Sequence, residues 1–151
     1  MISDRAARWQ RNTFVVARMA TGGYWLFEQH WKLPPDFGRH APRGLMFAFE
    51  QSIAHPGIPL YAELLARIVV PHFAVFGWLL FLVELAIGLS LVFGVRVRVG
   101  AMLGTLQAAN LLLAMGRTPE GAGIYVALLV ANLAVLLGAM LPSVARNDLV
   151  R

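Results

Sequence analysis

A carboxyl group in the middle of an apolar run is the residue of this chain with the most chemistry to offer. Glu84 stands in FLVELAIG, about twelve residues from Arg96, which at 1.5 Å per helical residue is about 18 Å. That depth is close to the centre of a bilayer. An ionisable group there is costly unless it is protonated or paired, so it turns toward the interior of its protein and commonly has a purpose. The purposes open to it are a proton relay, a contact to a polar head such as a quinone carbonyl, or a structural bond between helices. Arg18 is the expected partner. Its long side chain has the reach to pair with Glu84 or to snorkel outward to lipid phosphate. Gln107 and Asn110 stand in a later apolar run and Asn132 in the last one. Gln107 is roughly 13 Å from Arg98 along a helix, so Glu84, Gln107 and Asn132 are expected to share one layer. Amides in such helices act by default as glue, worth on the order of 1 kcal/mol each.

A second group of polar residues lies in GGYWLFEQHWKLPPDF. Tyr24, Trp25 and Trp31 fit an aromatic belt at a membrane interface. Glu28, His30 and Lys32 set titratable groups beside it. Trp25, Glu28, His30, Trp31 and Lys32 are therefore read as interfacial anchors, and alternatively as a mouth where a quinone ring or a partner subunit docks. His30, His40, His55 and His72 surround one connection at spacings of 10, 15 and 17. These match no compact ligand motif, and no metal site is expected. The absence of cysteine excludes disulfides, thiolate metal sites and thiol catalysis by this chain. There is no phosphate-binding glycine loop and no serine–histidine–acid order. No catalytic residue is assigned.

The elements that must hold these residues are helices. Of 151 residues 58% are hydrophobic and 14% charged, against about 25% charged in soluble domains. Mean hydropathy is +0.64. Backbone crossing a bilayer must satisfy its own hydrogen bonds, which leaves helices or closed barrels, and the apolar runs lack the alternation of barrel strands. A spanning helix needs about 20 apolar residues. Four runs qualify, at about 12–31, 68–93, 99–115 and 121–141, the last ending before Pro142. The expectation is an all-α, integral membrane four-helix bundle in a single domain. The first run is the weakest, because Arg18, Glu28 and His30 interrupt it. It is read as a retained helix rather than a cleaved signal. The long connection 32–67 contains GLMFAFEQSI and IPLYAELLARI, each suited to a short interfacial helix.

Arginine counting orients the bundle. Four alternating helices put Arg5, Arg8, Arg11, Arg96, Arg98, Arg146 and Arg151 on one side. Lys32, Arg39, Arg43, Arg67 and Arg117 fall on the other, among Glu28, Asp36, Glu50, Glu63 and Glu120. The first side is expected to be cytoplasmic, with both termini there. The basic residues flank apolar runs rather than forming a stripe. Lipid phosphates, not nucleic acid, are their expected partners.

The stretch ARMATGGYWLFEQHWKLP resembles the opening of DoxX-type membrane proteins, and VELAIGLSLVFGVRVRVGAMLG resembles their second-to-third helix hairpin, with Glu84, Gly88, Gly94 and Arg98 in matching places. The long first connection is similar to the DoxD type, the small subunit of a thiosulfate–quinone oxidoreductase. The resemblance implies a four-helix bundle working near the quinone pool of a bacterial or archaeal cytoplasmic membrane, beside other subunits. It implies polar roles for Arg18, Glu84 and Arg98.

Three functions compete. The first is a small, non-catalytic membrane subunit of a respiratory or photosynthetic electron-transfer complex, aiding assembly or shaping a quinone-accessible surface. The second is the quinone-reactive subunit of a thiosulfate–quinone oxidoreductase. The third, least favoured, is a small-solute transporter, for which four helices make a thin bundle. No covalently bound cofactor is expected. Quinone, lipid and, in a photosynthetic setting, pigment are the expected contacts.

Overall fold

The computed structural model describes residues 4–115, 117–118 and 122–141. The regular structure among them is helical: α1 (Asp4–Phe27), α2 (Leu45–Ala54), α3 (Pro59–Leu64), α4 (Phe73–Phe93), α5 (Val97–Met115) and α6 (Ala122–Met140). A 3-10 turn, Glu28–Trp31, extends α1, and a π-helical turn, Leu65–Val69, follows α3. Three helices, α4, α5 and α6, are long and apolar enough to cross a membrane. The first apolar run does not join them. The helix there begins eight residues earlier than expected, at Asp4, and carries Arg5, Arg8, Arg11 and Arg18. The second run is shorter than read from the sequence. Pro71 interrupts it, since proline has no N–H to donate and crowds the preceding turn, and α4 starts only at Phe73. Arg146, Arg151 and Glu120 lie outside the described residues.

The four long helices pack in a ring, α1 on α4 and α6, and α5 on α4 and α6. Polarity is inverted relative to a soluble bundle. The apolar windows of α4, α5 and α6 are only 22–39% buried, and their outward faces carry Val75, Leu79, Leu82, Leu106, Leu113, Val130 and Leu137. Glu84, Gln107 and Asn132 are buried. Apolar groups outside and polar groups inside suit a solvent of lipid chains, where a polar side chain saves most by facing its own protein.

α1 and α4 approach closely because both present glycine. A Cβ on Gly22 would stand 2.9 Å from the Gly88 carbonyl oxygen, and one on Gly88 would stand 2.6 Å from Leu26 Cδ2. The contact runs antiparallel, so α1 and its 3-10 turn reach only half-way along α4. Segment 33–72 lines the remaining half as a hood. Phe37, Leu45, Phe49, Leu65 and Val69 of the hood form one buried cluster with Phe73 of α4, separate from the cluster of Trp25, Ile87, Leu91, Val97, Ala101, Ala108, Leu128, Val135 and Ala139 between the long helices. The two short helices expected within 32–67 are present as α2 and α3. Pro59 opens α3, a position where its missing N–H costs nothing.

Candidate functional site

The turn after α1 decides what Glu84 meets. At Glu28 the helix tightens to 3-10 geometry, closed by Lys32 N–H donating to Gln29 O at 3.1 Å. With three residues per turn, positions i and i+3 eclipse. Gln29 and Lys32 therefore project on the same side, and both reach the same carboxylate. Gln29 Nε2 donates to Glu84 Oε2 at 2.8 Å, and Lys32 Nζ forms an ion pair with that oxygen. From α5, Gln107 Nε2 donates to Glu84 Oε1 at 3.0 Å. Glu84 and Lys32 are 1% and 4% exposed, so water does not screen the pair, and each charge depends on the other. Lys32 also lies 4.6 Å from the centroid of the Trp31 ring, a cation–π contact that helps a desolvated ammonium.

Glu84 is eleven residues from Phe73 and nine from Phe93, which puts the site mid-way along α4, where α1 ends and the hood begins. A carboxylate offers about four acceptor positions, and three are taken. Gln29 Oε1 is buried and accepts no hydrogen bond. Flipping the carboxamide does not help, because Nε2 would then turn away and Oε1 would face the carboxylate. The site thus combines a buried ion pair with one open acceptor.

A second polar contact lies just inward. Asn132 Nδ2 donates to Leu128 O at 2.8 Å, and its Oδ1 accepts from Trp25 Nε1 at 3.3 Å. Both residues are fully buried. Gly104 makes the space, since a Cβ there would meet Asn132 Oδ1. The layer expected from helical rise is thus present, split into a Glu84–Gln107 rung and an Asn132–Trp25 rung. Asn110 faces the hood instead, where Tyr61 donates its hydroxyl to Asn110 Oδ1 at 2.7 Å. Burial pushes the Tyr61 phenol above its ordinary range, while the bond to Asn110 acts in the opposite direction.

Three expectations need correction. Arg18 is not the partner of Glu84. Its guanidinium lies against Gly94, the left-handed residue that caps α4, ten residues or about 15 Å of helix away. A cation there complements the negative end of the α4 dipole. Trp25 is not in an aromatic belt but inside the bundle, where its N–H has an amide to meet. Lys32 is not an interfacial anchor but the counter-charge of Glu84. The other members of that group do stay near the surface. Trp31 is half-buried and donates to Glu28 Oε2 at 3.2 Å, and His30 is exposed, its Nδ1 2.7 Å from Phe27 O. Arg98 donates through Nε to Ala139 O at 3.1 Å, fastening α5 to the end of α6. Gln29 and Tyr61 were not singled out from the sequence. The signal for Gln29 was its three-residue spacing from Lys32, a shared face in a helix that the 3-10 turn aligns more closely.

No family model matches the chain, and no characterised protein or solved structure is similar enough to count as a relative. Among the described residues no cluster of three or more histidine, aspartate or glutamate side chains is placed to hold a metal ion.

Proposed function

We propose that this chain is a four-helix integral membrane protein that serves as a small subunit of a larger electron-transfer complex, respiratory or photosynthetic, rather than an enzyme by itself. One observation carries the reading. The interior polar groups Glu84, Asn132 and Asn110 are committed to other groups of the same chain, while the outward faces are broad and apolar. Such a molecule offers surfaces to neighbours more than a reaction centre to a substrate. The resemblance to DoxX-type proteins supports surroundings near the quinone pool. The basic end, with Arg5, Arg8, Arg11, Arg96 and Arg98, is the cytoplasmic one by the positive-inside rule. The hood then lies on the far side of the bacterial or archaeal cytoplasmic membrane, and α1 with its 3-10 turn is the fourth membrane element. Gentle solubilisation followed by native electrophoresis and mass spectrometry should find the chain in a band with redox subunits. Recovery from native membranes as a lone chain overturns the reading.

One feature favours a second reading, the quinone-reactive subunit of a thiosulfate–quinone oxidoreductase. Gln29 Oε1 is a buried acceptor without a hydrogen bond, next to the Lys32–Glu84 pair, and a quinol hydroxyl is the group that would satisfy it. The purified chain with its partner should then reduce a quinone analogue with thiosulfate. A rate unaltered in Glu84→Gln and Gln29→Leu removes this site from the reaction.

A further inference from the structure

At the basic end of the bundle α1 and α6 do not close on each other. Between them lies a groove of about 660 Å³, lined by Arg5, Trp9, Thr13 and Phe14 of α1 and by Ala134 and Gly138 of α6 among others. Its volume falls within the range of about 300–1,000 Å³ usual for small-molecule sites, but its chemistry is unusual. The lining is almost wholly apolar, and its one charged side chain, Arg5, sits in the first turn of α1. The depth comes from small residues. Ala17 and Ala134 expose only methyl groups, and at Gly138 a Cβ would come within 2.7 Å of the Phe14 ring. Trp9, 74% exposed, stands one turn from Arg5, where an amphipathic ring suits the headgroup level.

We propose that this groove binds one anionic phospholipid, with an acyl chain along Phe14, Ala17, Ala134 and Gly138 and the phosphate on Arg5. Charge complementarity selects the occupant. Positions 4–27 hold Arg5, Arg8, Arg11 and Arg18 against the single acid Asp4, a basic helix end next to an oily slot. The same design recurs at the same end of the bundle. A groove of about 400 Å³ between α4 and α5 is lined by Leu89, Phe93, Val99 and Leu103, with Arg96 as its one charged residue. An extended peptide would need polar partners for its backbone, which the lining almost lacks, and an apolar helix, whose backbone is satisfied internally, would bring no negative charge to Arg5. A phosphate-headed chain needs only what is present, one cation above an apolar trough. The site rests on the membrane reading of the chain and not on its place in an electron-transfer complex.

The test is native mass spectrometry of the full chain released from nanodiscs of mixed phosphatidylglycerol and phosphatidylcholine. The wild type should retain phosphatidylglycerol preferentially, by about fivefold for each arginine at the headgroup. Ala134→Phe, and independently Ala17→Phe, fill the trough from exposed positions and should lower the bound count by one lipid, leaving the α4–α5 groove occupied. Arg5→Gln should keep the bound count but lower the preference for the anionic head by about fivefold, the share of Arg96 at the α4–α5 groove remaining. Glycerol phosphate, a headgroup without chains, should not compete. Equal retention of the two lipids by the wild type overturns the proposal. So does an unchanged bound count in both Phe variants, or displacement by glycerol phosphate. A chain that fractionates with membranes yet shows no lipid preference loses this site and keeps its membrane reading.

Discussion

The two halves of α4 are covered in opposite ways. Along Gly88 to Phe93 it meets α1 through glycines, backbone against backbone, and the nearby interior is tied by amide and indole hydrogen bonds. Along Phe73 to Phe81 it meets the hood through aromatic rings. Phe37 packs edge-on against Phe73 and Trp78 at centroid distances of 6.4 and 5.4 Å, and Trp78 against Phe81 at 6.1 Å. The Phe37 ring fills the hollow over Gly77, where a Cβ would come within 2.6 Å of it. The first arrangement works in lipid, where helix association gains little from hiding apolar surface and much from close approach and satisfied polar groups. The second is aromatic packing, in which buried ring area supplies the stability. Glu84 and Lys32 stand at the seam. The ion pair is the fastening that holds the beginning of the hood at a fixed depth on α4.

That contrast is open to attack at four points. The largest effect is expected at the seam. Lys32→Met leaves a carboxylate buried without its counter-charge, and removing one partner of a buried pair costs about 3–5 kcal/mol. Thermal unfolding in detergent should show it. The double variant Lys32→Met with Glu84→Leu should recover most of the loss, and a double variant as unstable as the single one would remove the seam role. Phe37→Ala comes next. A buried phenylalanine truncated to alanine costs about 3–5 kcal/mol, and here the loss should stay in the hood. Limited proteolysis should open the chain within 33–72 while α4 to α6 remain resistant. Cleavage inside α5 or α6 would contradict two separate cores. Gly104→Ala should destabilise by about 1–3 kcal/mol through overpacking against Asn132, and Gly104→Ala with Asn132→Ala should relieve it. Independent additivity of those two changes would deny the contact. The smallest effect is Tyr61→Phe, which removes the bond to Asn110 for about 1 kcal/mol. Amide exchange in α3 should rise while α6 stays unchanged.

Depth was readable from helical rise. Glu84 in the middle of its run, with Gln107 and Asn132 near the same level, follows from counting residues between arginines, and the structure keeps all three in the interior. Pairing was not readable. Arg18 had the right charge and lay in an apolar helix, but the antiparallel register between Gly22 and Gly88 sets it level with Gly94, a long way from Glu84. Lys32 looked interfacial because it follows the apolar run and precedes two prolines. The 3-10 turn folds it back to the middle of α4. Trp25 looked like belt material for the same reason, and the space beside Gly104 drew Asn132 into its reach instead.

Composition and run length alone required helices, because uncompensated backbone groups cannot stand in lipid, and they counted four spanning runs where the structure has three helices, α4, α5 and α6, long and apolar enough to cross a membrane. They also placed one costly carboxyl among them, since a hydropathy pattern records depth along a helix axis. Which cation answers that carboxyl, and whether α1 runs the full length of α4, depended on contacts between residues 52 and 66 positions apart, Lys32 with Glu84 and Gly22 with Gly88. Such contacts are set by how glycine faces allow helices to approach and by where a turn changes its pitch, and neither is written in the local pattern of apolar and polar residues.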